Sequence, residues 1–174
     1  MKEACKADFA QVTNKLSRKE EYQFRKQMVT LNEIRGINRI IGFVANEKNK
    51  IKSERDLTTL SRSGLQRKYF QTFTGNAGIP VFDFEQMAQM PPDTINGKDA
   101  QELLSPEATE RLIEVALVYV RGIEIFGSKE SFRKWISTEN LALGGIKPKE
   151  LLDNSFGIQE LNDELTRIDH GIFA

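Results

Sequence analysis

At 174 residues, with 39% hydrophobic and 29% charged side chains, the chain can bury the core of one domain or two small ones and is too apolar to stay disordered. No run approaches the roughly 18 apolar residues that span a bilayer, and Met1–Lys6 lacks the apolar stretch of a secretory signal, so a cytoplasmic protein is expected. Formal charge sums to zero but is uneven: 13 Lys+Arg against 7 Asp+Glu in residues 1–55, 4 against 6 in 56–104, and 8 against 12 in 105–174. A basic front places any nucleic-acid contact early, and an acidic rear suits a partner with basic groups.

In chain order, Phe9, Val12, Leu16, Phe24, Met28, Leu31 and Ile34 recur every three or four residues, or a small multiple, which predicts one or two amphipathic helices. Ile37–Val44 follows as a short apolar patch, and the lysine-rich Asn46–Lys52 reads as a linker. From Asp56, the positions Leu57, Leu60, Leu65, Tyr69, Phe70 and Phe73 keep helical spacing until a break at Gly75–Gly78. Asp83 is a candidate cap for a short helix through Gln89, and Pro92–Lys98 permits another, the pair resembling a helix-turn-helix.

Signals strengthen after Leu104. Ser105 as N-cap, Pro106 at the first helical position and Glu107 in the first turn open a helix that should run to Phe126 and stop at Gly127. One stripe on it holds Leu112, Val115, Ala116, Tyr119, Ile123 and Phe126, and a second holds Ile113, Leu117 and Val120. A helix apolar on two sides is either central to its domain or lends one side to a subunit interface. Ser128 then caps a helix with Phe132, Trp135 and Ile136; Pro148 opens one with Leu151 and Leu152; and a last one after Gly157 carries Ile158, Leu161, Leu165 and Ile168 to Gly171. The expected fold is all-α: a basic helical segment and linker over 1–55, a helix-turn-helix-like domain over 56–104, and a small helical domain over 105–174.

Catalytic signatures are missing. Cys5 and His170, each the single residue of its type, lie at opposite ends of the chain, which also removes a disulfide or a thiolate metal cluster. Gly75–Gly78 lacks the Lys-Ser/Thr that follows a phosphate-binding glycine run, and Leu143–Ile146 lacks the dinucleotide spacing. No enzyme activity, metal or cofactor is expected. For DNA, the candidate second helix offers Thr94, Asn96 and Lys98 to base edges, and Arg62, Arg67 and Lys68 to phosphates.

The densest pattern is Phe126-Gly127, Trp135, then Asn140-Leu141-Ala142-Leu143-Gly144-Gly145, Pro148, Leu151-Leu152, Gly157, and Arg167-Ile168-Asp169-His170-Gly171-Ile172-Phe173-Ala174. It resembles the toxin-binding domain of the Xre/MbcA/ParS-type antitoxins of bacterial type II toxin-antitoxin systems, over residues 105–174. Read physically, Trp135 anchors the small core, Gly144 and Gly145 allow a tight turn, and Pro148 restarts a helix at a fixed angle. The resemblance implies a homodimeric antitoxin that neutralises an NAD-consuming toxin of the RES or ADP-ribosyltransferase-like type by occluding its active site, and that represses its own operon. It implies toxin contacts at Arg167, Asp169, His170, Gly171, Ile172, Phe173 and Ala174, with Phe126, Trp135, Asn140, Gly144, Gly145, Pro148, Leu151, Leu152 and Gly157 defining the module. The competing expectation is a transcription regulator whose last third serves only dimerisation.

Overall fold

The computed structural model describes residues 31–43, 50–87 and 99–172, and every regular element among them is helical. The expected helices over Phe9–Met28, the Pro92–Lys98 helix with Thr94, Asn96 and Lys98, and the last two residues, Phe173 and Ala174, lie outside the described residues.

Helix α1 (Leu31–Ile41) contains most of what the sequence presented as an apolar patch. Ile34, Ile37, Ile40 and Ile41 line one face and are buried, so packing overrides the modest helix preference of β-branched residues. Asn38 shares that face. Its Nδ2 donates to the carbonyls of Ile34 and Ile51, each at 2.7 Å, and its Oδ1 accepts from Ile51 N at 2.9 Å, which pins the end of the expected linker to α1.

The run from Asp56 is two helices, α2 (Glu54–Ser63) and α3 (Arg67–Ala77). A capping box opens α2: Ser53 Oγ accepts from Asp56 N, and Asp56 Oδ2 accepts from Ser53 N at 3.0 Å and Lys52 N at 2.8 Å. Gly64, with φ +85°, ends it, and a Cβ there would sit 2.6 Å from the Leu104 carbonyl. Spacing alone hides this break, because Leu65, Tyr69 and Phe73 resume a buried face after the corner. Helix α4 (Val81–Met87) begins two residues before Asp83, which falls in its first turn and not at its cap.

Helix α5 (Pro106–Phe126) has the predicted bounds, with Ser105 Oγ accepting from Ala108 N at 3.2 Å and Gly127 left-handed at φ +74°. Helices α1, α2, α3, α6 and α7 pack against it, so it is the central element. Leu112, Val115, Ala116 and Tyr119 of the first stripe are buried, as is Ile113 of the second; Leu117 and Val120 are half-buried against the core, and a Cβ on Gly36 of α1 would fall on Val120. Both stripes are therefore covered within the chain. Beyond it come α6 (Lys129–Ile136), the 3₁₀ turns η1 (Leu141–Leu143) and η2 (Pro148–Asp153), and α7 (Ser155–Asp169).

The buried apolar side chains form one cluster from Ile34 to Leu165, continuous across residues 55 and 104. Part of its spine is aromatic: Phe84 meets Phe70 and Phe73, Phe73 meets Tyr119, and Tyr119 meets Phe132, with centroids 5.1 to 6.2 Å apart and near edge-to-face. No described helix is long and apolar enough to cross a membrane.

Candidate protein-binding site

The last module is built where the C-terminal half of α5 meets α6, the two 3₁₀ turns and α7. Phe132, fully buried, is the residue the other elements close upon; Trp135, expected as the anchor, is only half-buried at the rim, 5.1 Å from Phe126 and 5.9 Å from Phe132. The exchange follows from register. Phe132 points under α5, where Gly122 leaves room for its ring, while Trp135 lies nearly parallel to it from outside.

The turn between α6 and η2 holds itself together. Asn140 N donates to Ile146 O at 3.0 Å, Gly145 N to Asn140 O at 2.9 Å, and Asn140 Oδ1 accepts from Ala142 N at 2.9 Å. Gly144 and Gly145 both have positive φ, +75° and +80°, a conformation that side-chain-bearing residues adopt at a cost. Leu143 inserts into the core, whereas Leu141 is 92% exposed. Pro148 and Leu152 are buried and Leu151 half-buried, and η2 passes into α7 through Asn154, whose Oδ1 accepts from Gly157 N at 2.9 Å. Gly157 is buried against the carbonyl of Leu151, so the expected turn glycine is a close-approach residue inside the first turn of α7.

Helix α7 is latched to α5 by Arg121, which donates to Thr166 Oγ1 at 2.5 Å and to the Asn162 carbonyl at 3.3 Å. Arg111 pairs with Glu114 at 2.9 Å; Ser155 Oγ donates to Glu114 at 3.4 Å, and burial raises the Glu114 carboxyl above its ordinary value. Of the expected contact residues, Arg167 pairs with the buried Glu164, Asp169 and His170 are exposed with side chains 4.0 Å apart, and Gly171 turns the chain at φ +66°. Ile172 N donates back to Arg167 O at 2.9 Å, which leaves the Ile172 side chain 56% exposed.

The DNA candidates separate. Arg62 is exposed near the end of α2, and Lys68 lies over the Tyr69 ring at 4.7 Å. Arg67 is 4% exposed and pairs with Glu102 at 2.8 Å, so its charge is spent holding residues 99–104 against α3 and is not free for phosphate.

Leu141 and Phe156, the latter 86% exposed, were not singled out by sequence. A signal exists for Phe156, which falls off the Ile158, Leu161 and Leu165 stripe of α7. A cleft of about 380 Å³ between α4, α6 and η2 has Tyr119 in its wall and carries charges of both signs, Arg133 and Lys149 against Asp83 and Glu150. Burial pushes the Tyr119 phenol above its usual range, so it stays neutral. The module is thus a helical scaffold that exposes Leu141 on a self-bonded turn and Phe156 in the first turn of α7.

The comparisons give that module its family. Residues 121–171 match the Antitoxin Xre/MbcA/ParS C-terminal toxin-binding domain, a match that begins inside α5 at Arg121. A relative named Antitoxin Xre, from Yersinia enterocolitica serotype O:8 / biotype 1B (strain NCTC 13174 / 8081), is 27% identical over 100 residues, 56% of this chain and 68% of its own length. The C-terminal module is thus similar to the toxin-binding domain of the Xre/MbcA/ParS antitoxins, and the chain over 100 residues to an Antitoxin Xre.

Proposed function

We propose that the protein neutralises a cognate toxin by direct binding through residues 105–174, and that this toxin is an NAD-consuming protein of the RES or ADP-ribosyltransferase-like type whose active site the antitoxin occludes. The observation that carries the reading is the match of residues 121–171 to a toxin-binding domain. It is supported by the exposure of Asp169, His170, Gly171 and Ile172 at one end of a latched helix, where a rigid base presents a short segment to a partner. In this reading the protein acts in the cytoplasm as an inhibitor and not as an enzyme, and uses no cofactor.

The reading includes a homodimer and repression of its own operon, both implied by the family resemblance. The stripes of α5 pack largely against other helices of the chain, with Leu117, Val120, Ile123 and Phe126 half-buried, which favours a different surface for a contact between two copies. Operator binding would draw on Arg62 and Lys68 with Thr94, Asn96 and Lys98.

The test is co-expression with a toxin of the RES type. Ending the chain after Asp169 is expected to abolish protection of the cells while leaving the same thermal unfolding transition. Full protection by the shortened protein would show that the last residues are not the inhibitory element. A mobility-shift assay with upstream DNA over a salt series tests the operator reading, since phosphate contacts give a steep loss of affinity with salt.

A further inference from the structure

We propose that the turn Asn140–Ile146 is a docking knob, with Leu141 entering an apolar pocket on the toxin; this rests on the antitoxin reading above. Leu141 is 92% exposed, while its neighbour two residues on, Leu143, is buried and roots the turn in the core. Single exposed aliphatic side chains are ordinary on a protein surface; what sets Leu141 apart is the fixed backbone that carries it. The backbone is fixed from within, by Asn140 at both ends of the turn and by its side chain on Ala142 N.

The two glycines add the second observation. A Cβ on Gly144 or Gly145 would meet nothing within 4 Å among the described residues, so positive φ, and not a close neighbour, is what keeps both bare. Rooted by Leu143, the turn offers open backbone at Gly144 and Gly145 close to Leu141, with Ile146, more than one-third exposed, at its foot. A preformed turn with an aliphatic tip and bare backbone flanks fits a concave, apolar pocket whose rim approaches main chain closely, and its ordering cost on binding is small. The turn lies inside the residues that match a toxin-binding domain, which selects the toxin over a second copy as occupant.

The experiment measures binding of the full-length protein to the RES-type toxin it protects cells from, by calorimetry, for wild type, Leu141→Ala and Leu141→Asp, with thermal unfolding and light scattering of each variant alone. Burial of one leucine side chain predicts a loss of affinity of about 10- to 100-fold for Leu141→Ala and a larger loss for Leu141→Asp, at unchanged unfolding temperature. Equal affinity of wild type and both variants overturns the knob while leaving the antitoxin reading intact. If wild type itself does not bind, the antitoxin reading fails and the knob with it. A variant that changes the protein's own assembly state and not its toxin affinity assigns the turn to a second copy and overturns the proposal.

Discussion

Gly122→Ala probes the contact on which the module is closed. Gly122 is buried in α5, and a Cβ there would overlap three carbons of the Phe132 ring. That ring is fully buried and boxed by Tyr119 at 5.1 Å and by Phe126 and Trp135 at 5.9 Å, so it cannot retreat without disturbing three aromatic neighbours. Overpacking of this kind costs about 1–3 kcal/mol, and the confined ring argues for the upper end. Replacing a helical glycine with alanine regains about 1 kcal/mol. The net expectation is a loss of about 2 kcal/mol, or a fall in Tm of about 4–8 °C for a chain of this size. Urea and thermal unfolding of Gly122→Ala, Phe132→Leu and the double variant measure it. The smaller leucine should relieve the overlap, so the two changes should be non-additive by at least about 0.5 kcal/mol. A Gly122→Ala protein as stable as wild type, or strict additivity, would refute the close approach of α5 and α6.

Three further outcomes follow from buried or bonded polar groups. Arg67→Ala should lower stability by about 2–3 kcal/mol, because it removes a buried charged donor and the packing of its stem; the urea midpoint checks this, and an unchanged midpoint would return Arg67 to the DNA candidates. Asn38→Ala strips partners from both backbone groups of Ile51, an expected loss of about 2–3 kcal/mol, seen also as faster hydrogen exchange at the Ile51 amide. At Asp56 the backbone N–H of Lys52, opposed by some desolvation and aided by the Ser53 hydroxyl and N–H, holds the carboxyl below its ordinary 3.8. A depressed folded value means that the stabilisation is present above the unfolded carboxyl range and is lost as pH falls through the folded value. Acid titration of unfolding should therefore show a smaller loss below about pH 4 in Asp56→Asn than in wild type. Equal acid sensitivity of the two proteins would discard the capping box as its source.

Helix α5 was legible in full because its signals are local: a serine cap, a proline at the first position and a left-handed glycine at the end. Its central place follows from the two stripes that sequence periodicity displays. The corner at Gly64 was not legible, since a single left-handed residue leaves the three-and-four spacing of apolar residues almost intact. Arg67 misled for a related reason: its partner Glu102 is 35 residues away in the chain, and the burial of a guanidinium depends on that partner. Within the site, the residues of the motif were visible but their division of labour was not. Trp135 is the larger side chain, yet the space beneath Gly122 is matched to Phe132, a fact of three-dimensional register alone.

The half-buried position of Trp135 has a spectroscopic consequence. It is the sole tryptophan among 174 residues, and it sits at the rim of the module, against Phe126 and Phe132. All indole emission from this protein therefore originates at one known spot, the rim of the C-terminal module. Loosening of α6 would expose the ring to water and shift its colour to the red, whereas a partner laid across the rim would dry it and shift the colour to the blue. Tyr119, in contact with Phe132, lies close enough to pass excitation energy to it. Folding and complex formation can thus be followed in unlabelled protein as two signals of opposite sign.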